Sequence, residues 1–230
     1  MLYRIFDIEA VVDPEMGPAV TRDGEPIQFP APPWWRVVAI ASILIASDEH
    51  TESGDWELRR SDVVVGPSEA MLVRLFAESQ ARRRATLVGF NSRHFDMPVI
   101  VARAMKCGVS FPWYWEERDA RYRFSETGHI DLMDALTDYG AADRTGLDAW
   151  ARLVGAPPKG GKGSDVAGMI ERGEWTDVGA YCFGDVVTLA CVFFRWMMVK
   201  GRMRASTEIR LSDAVKDAVP NMVEHDERYK

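Results

Sequence analysis

The sequence is short of cysteine, of excess basic charge and of long apolar runs, and each shortage removes a class of protein. Its three cysteines, Cys107, Cys182 and Cys191, are too few and too scattered for a disulfide scaffold or a zinc cluster. Lys and Arg number 28 against 35 Asp and Glu, a net charge of −7, which disfavours a protein that grips nucleic acid by bulk charge. No apolar stretch reaches the ~20 residues of a membrane span, so no membrane contact is expected. The opening MLYRIFDIEA runs directly into acidic, strand-like sequence rather than a signal peptide. There is no internal repeat, low-complexity tract or interdomain linker. What the chain does have, 47% hydrophobic and 27% charged residues, supplies a sizeable core and excludes global disorder. The expectation is a reduced, soluble, cytoplasmic protein, with a main domain over residues 1–200 and a C-terminal helix and charged tail over 201–230.

The apolar periodicity then places the elements. Residues 2–8 mix Tyr, Ile and Phe as a mostly buried strand does, and residues 34–47 (WWRVVAIASILIAS) read as a long central strand. Residues 55–60 alternate polar and apolar and are expected to pair back on it as a hairpin. Between the first two strands, residues 10–33 form a Pro-, Gly- and charge-rich loop of a length usually tied to function. Residues 67–83 carry helical spacing, with Met71, Leu72, Leu75 and Phe76 on one face. Residues 85–90 (ATLVGF) read as a short strand parallel to the first, and 98–106 as a helix with Pro98 in its first turn. Short helices are expected at 130–139, 147–154 and 166–172, a long one buried on more than one side at 177–200, and a weak one at 206–218 before a frayed tail. A hairpin-rich start, a parallel strand and a helical second half describe an α/β domain with a mixed sheet of antiparallel hairpin strands plus parallel strands, flanked by helices. This fits a ribonuclease-H-like sheet better than a doubly wound one.

Three groups of residues carry chemistry. Asp7 and Glu9 lie two apart near the end of the first strand, so both point to one face. Two carboxylates side by side repel each other unless a cation relieves them, and hard oxygen donors suit Mg²⁺ or Mn²⁺. A solvated strand end with two acids is the structural alternative. Asp96, in GFNSRHFDMPVI, stands between a strand and a helix, where an acid either ligates or caps. Tyr181 and Asp185 are four apart and share one face of the long apolar helix. An acid there is costly unless paired or metal-bound, although a contact with Tyr181 at the helix start would also serve.

In this order, D-x-E at a strand end, F-N-x(3)-F-D-x-P after a parallel strand and Y-x(3)-D on a late helix resemble the three motifs of the DEDD 3′–5′ exonucleases, in the tyrosine-bearing branch. The chain is most similar to the proofreading exonuclease domain of family B DNA polymerases and to stand-alone bacterial relatives of it, from about residue 3 to 197. The resemblance implies a ribonuclease-H-like fold and two divalent cations, Mg²⁺ or Mn²⁺. Asp7 would bridge the two ions, Glu9 and Asp185 would complete one site, and Asp96 would hold the second. Such a pair, about 4 Å apart, serves in-line phosphoryl displacement. Tyr181 would orient the attacking water; a phenol of ordinary pKa near 10 is a poor base at neutral pH. The implied reaction is hydrolysis of the terminal phosphodiester of single-stranded DNA 3′ ends to nucleoside 5′-monophosphates. An RNA substrate and a silent nucleic-acid-binding module of the same fold are the competing readings, and a polymerase or repair partner stays open.

The histidine-bearing branch uses H-x(4)-D, which His129 and Asp134 fit, but that pair follows Asp96 too soon to be the third motif. Asp131, in HIDLMDAL, reads either as a residue orienting the site from behind or as a helix cap. Asn91 is expected to hydrogen-bond the terminal nucleotide and Phe95 to stack or wedge on a base, while Phe90 reads as core. Lys159 and Lys162, set among Gly160, Gly161 and Gly163, form either a phosphate-approaching loop or a plain surface loop. Arg82, Arg83 and Arg84 read as a solvated helix end, and Trp34, Trp35, Trp113, Tyr114 and Trp115 as core or rim.

Overall fold

A computed structural model describes residues 1–47, 56–158 and 165–224. Six strands form one sheet: β1 (Leu2–Val12), β2 (Trp35–Ser47), β3 (Trp56–Val65), β4 (Thr86–Gly89), β5 (His129–Asp131) and β6 (Asn221–Glu224), in spatial order β5-β4-β1-β2-β3-β6. β1, β2 and β3 are antiparallel neighbours; β4 runs parallel to β1, β5 to β4 and β6 to β3. The fold is thus a mixed α/β sheet of ribonuclease-H-like arrangement, an antiparallel meander extended on β1 by parallel strands.

Strand alternation divides the apolar residues between two cores. Tyr3 and Ile5 face α8 (Trp175–Val199), with α6 (Leu147–Val154) and α9 (Ala205–Lys216) packed beside it. Phe6 and Ile8 face α1 (Glu69–Arg83) and α2 (Asp96–Cys107). Short helices α3 (Pro112–Glu116), α4 (Arg118–Arg121), α5 (Leu132–Leu136) and α7 (Val166–Glu171) complete the described chain. By length and composition α8 could cross a membrane, with a mean hydropathy of 1.6 over its most apolar window, but 72% of that window is buried inside the protein. Gly179 lets α8 sit close on the sheet: a Cβ there would lie 3.1 Å from Val63 Cγ1 and 3.2 Å from Met222 Cε.

Three expectations need correction. β1 continues past residue 8 to Val12, because residues 10–12 still pair with Val37, Arg36 and Trp35 of β2. Residues 130 and 131 belong to β5, not to a helix, and the helix after them is only α5. A three-residue strand is too short to show alternation. The stretch read as a frayed tail contains β6, which pairs with β3 from Asp62 to Val65.

The loop after β1 is anchored by buried charge. Asp13 meets Arg103 of α2 at 2.7 Å, and Arg103 forks onto Glu69 of α1 at 2.7 and 2.6 Å. Glu69 also accepts the Val37 N–H at 2.7 Å, so one carboxylate ties α1, α2 and β2 together. Burial raises the Asp13 pKa, but hydrogen bonds from Lys106, the Glu15 amide and Arg103 outweigh it and bring it down to about 2.

Candidate active site

Asp7 and Glu9 share the β1 face turned toward α8; Asp7 is half-buried and Glu9 only 8% exposed. The β1–β2 register shifts between Glu9 and Ala10, a bulge of the kind that re-aims side chains beside active sites. From α8, the Cys182 thiol donates to the Asp7 carbonyl at 3.6 Å, and the ligating atoms of Asp7, Glu9 and Cys182 all lie within 4.8 Å of one another. Burial first, then the charges of Asp7, Glu9 and Asp185, push the Cys182 pKa well above its ordinary value. Asp185, itself 2% exposed, therefore contributes its charge to the same spot. Tyr181 is half-buried one helical turn before it.

Asp96 arrives from the other side of the sheet. It is the first residue of α2, whose N-cap is Phe95, and its Oδ1 accepts the Ile8 N–H at 3.3 Å. That amide lies between Asp7 and Glu9, beyond the last residue of β1 that pairs with β4. The carboxylate thus binds the backbone of β1 from the start of α2. Asp7, Glu9, Asp96 and Asp185, three of them nearly buried, converge on the end of β1, and four carboxylates are a donor set whose chemistry fits a hard divalent cation. Cys182, which no motif marked for this place, is held as a neutral thiol and is a poor match for such an ion.

The loop from β4 to α2 is built from behind by β5. Asp131 accepts the N–H groups of Asn91 and Arg93 at 2.9 Å each, and that of Met133 at 3.1 Å. It therefore both orients the second motif and caps α5. Burial raises its pKa while these amides lower it. Asn91 sits in the left-handed region at φ 60°. Gly89 is obligatory, since a Cβ there would fall 2.3 Å from Ser92 Oγ. Ser92 Oγ in turn hydrogen-bonds His129 Nε2 at 2.8 Å. His129 is fully buried, and Asp134 is taken by Arg123 at 2.8 Å and Arg144 at 3.1 Å, so neither stands in the carboxylate group.

Two clefts open on this part of the molecule, and Glu9 is the one of the four carboxylates that lines either of them. One of about 720 Å³ is lined by Glu9, Phe29, Trp35, Phe95 and, from α7, Ile170. The three rings touch, with centroids 4.9 Å (Phe29–Trp35), 5.2 Å (Phe29–Phe95) and 5.3 Å (Trp35–Phe95) apart, and Phe29 is 62% exposed. Phe29 was not singled out from sequence, and its one signal was an aromatic set in a Pro- and Gly-rich loop. The other cleft, about 420 Å³, is polar and brings Asn91 together with Arg93, Arg121, Arg123 and Arg144. Lys159 and Lys162 lie outside the described residues.

A family model described as a predicted 3′–5′ exonuclease related to the exonuclease domain of PolB matches residues 28–230. The match begins after β1, so Asp7 and Glu9 join the site through the fold rather than through the matched segment. No curated protein matches the chain. Among solved structures, apo exonuclease I has a TM-score of 0.37 at 13% identity, covering 61% of this chain and 31% of that one. E. coli exonuclease I in complex with a dT13 oligonucleotide gives 0.38 at 14% identity, covering 61% and 30%. An ExoI/SSB-Ct complex gives 0.44 at 13% identity, covering 91% and 43%. The chain thus spans less than half the length of these solved structures.

Proposed function

Because the chain belongs to the family of predicted 3′–5′ exonucleases related to the exonuclease domain of PolB, we propose that it shortens single-stranded DNA from the 3′ end. The observation that carries this reading is the meeting of carboxylates from β1, α2 and α8 around the end of β1. In this reading Asp7, Glu9 and Asp185 hold one Mg²⁺ or Mn²⁺ and Asp96, with Asp7, a second. When bound, such ions supply Lewis acidity for the attacking water and the departing 3′ oxygen.

The chain's own groups do the rest. Tyr181, a positioning residue, orients the water with its hydroxyl. Asp131 keeps the Asn91 backbone fixed so that its side chain can address the last nucleotide. The Phe29–Trp35–Phe95 cluster offers ring faces to unpaired bases beside Glu9, which suits a single strand better than a duplex. The four arginines of the polar cleft outnumber its two carboxylates, Asp131 and Asp134, which leaves local positive charge for strand phosphates despite the chain's net −7. Water adds to phosphorus, the bond to the 3′ oxygen breaks and that oxygen takes a proton, leaving a nucleoside 5′-monophosphate.

The test is a 5′-labelled oligonucleotide, DNA and RNA in parallel, with Mg²⁺ or Mn²⁺ against chelator. A DNA ladder shortened from the 3′ end is expected, abolished by chelator and by Asp7→Ala. Tyr181→Phe should keep calorimetric Mn²⁺ binding and lose most of the turnover. A ladder that survives chelation or Asp7→Ala overturns the mechanism, and faster loss of the RNA would move the substrate to RNA. No Mn²⁺ binding and no cleavage would favour a silent module.

A further inference from the structure

On the sheet face opposite Asp7, Glu9 and Asp185, a second cavity of about 330 Å³ opens between α1 and strands β1, β2, β3 and β6. That volume falls at the lower end of the ~300–1,000 Å³ typical of small-molecule sites. Register explains its floor: Ile40 pairs with Val64 and Ser42 with Asp62, while Asp62 and Val64 pair with Asn221 and Val223 of β6, so all six share one face. Leu72, Leu75 and Phe76 of α1 form an apolar wall.

Arg4 lies at the bottom of this cavity and is 5% exposed. Its Nη2 donates to Ser79 Oγ at 2.6 Å and its guanidinium lies 5.8 Å from the Phe76 ring centroid, but its buried Nε has no hydrogen-bond partner among the described residues. No carboxylate lies within ion-pair distance of it among the described residues. The acid that acts on it, Asp62, is already held by Arg60 at 2.6 Å. Arg83, from the arginine run that closes α1, lines the same cavity. Burial, then repulsion from Arg83, bring the Arg4 pKa down to about 10. Four cations, Arg4, Arg60, Arg82 and Arg83, line an apolar space that offers one carboxylate, Asp62; Arg60 is paired with Asp62 and Arg82 with Glu78, which leaves the charge of Arg4 and Arg83 facing the cavity. A buried cation without its counter-charge is costly, and a guanidinium fork is built to receive a carboxylate.

We propose that this cavity binds a carboxylate carried on an apolar group, with Arg4 receiving the carboxylate, Arg83 closing over it, and Leu72, Leu75 and Phe76 covering the apolar part. Such a group is presented by a small organic acid or by the free C-terminus of a polypeptide ending in an apolar residue. The site is independent of the nuclease reading, because none of the four carboxylates lines it and the sheet separates it from Asp7, Glu9 and Asp185.

The experiment is calorimetry and thermal unfolding of the full chain with N-acetyl-L-phenylalanine, its uncharged amide, and inorganic phosphate. The free acid should bind saturably and raise Tm, with the amide and phosphate at least about tenfold weaker. Arg4→Met, which keeps length and removes charge, and Arg83→Ala, at an exposed position that leaves the core intact, should each weaken the acid about tenfold or more. No saturable binding of the acid, equal binding of the amide or of phosphate, or unchanged binding in Arg83→Ala would overturn the proposal. A peptide with a free C-terminal Phe that binds more tightly than the acetylated amino acid assigns the site to a chain terminus; equal binding assigns it to a small acid, and both support the site.

Discussion

His129 stands five residues before Asp134, the spacing a histidine-bearing nuclease would use, yet its ring is wholly enclosed and hydrogen-bonded to Ser92. Burial first, and Arg93 second, hold its pKa well below the ordinary value. The sign of the consequence follows from linkage. The unfolded chain takes up a proton below about pH 6.5 and the folded chain does not, so stability falls as pH drops below that value. The slope contributed by His129 is at most about 1.4 kcal/mol per pH unit. Urea unfolding at pH 7.5, 6.0 and 5.0 should show it, and His129→Gln should flatten the profile; an unchanged slope in that variant would assign the effect elsewhere. Asp96 carries the same lesson about legibility. A helix-capping acid and a metal-facing acid occupy the same place in a sequence, between a strand and a helix. The hydrogen bond from the Ile8 amide brings Asp96 to the end of β1, and that bond spans 88 residues.

Among the elements, β2 and α8 were readable, as were the shorter β4, α6 and α7, while β5 and β6 were not. β2 and α8 carry apolar runs long enough to define a period, whereas β5 and β6 have three and four residues and owe their existence to the strands they pair with. The packing of α1 against α2 is also invisible in either helix alone, since it turns on Arg103 reaching Glu69 and Asp13 at once. Removing that cation leaves two carboxylates facing each other in a buried place, and losing one partner of such a network costs about 3–5 kcal/mol. Arg103→Met should therefore lower the stability measured by urea unfolding by about that amount at pH 7. A loss below ~1 kcal/mol would mean that Lys106 alone neutralises the pair.

For the molecule as a whole, the net charge of −7 conceals an uneven distribution. Acids crowd the end of β1, while arginines line the polar cleft beside Asn91 and the cavity on the reverse face. The sheet also reaches from one end of the chain to the other, because β6 closes the β3 edge with residues close to the C-terminus. Ending the chain after Lys216 would expose that edge and remove Met222 from its seat against Gly179. We expect a loss of about 2 kcal/mol, or ~4–8 °C in Tm, together with increased light scattering on heating. An unchanged Tm would show β6 to be dispensable.

Strand alternation, the long buried helix and the order of the three acidic motifs follow from local spacing, and local spacing is what a linear sequence records. Which acids meet follows from something else. Asp7 and Asp185 are 178 positions apart, Cys182 joins them only because α8 lies across β1, and Phe29 reaches Phe95 only because the loop after β1 folds back over α2. The burial of Arg4 likewise depends on the α1 side chains that cover it. Periodicity reports which face a residue occupies; packing decides what that face meets, because electrostatic and hydrogen-bond energies depend on separation in space.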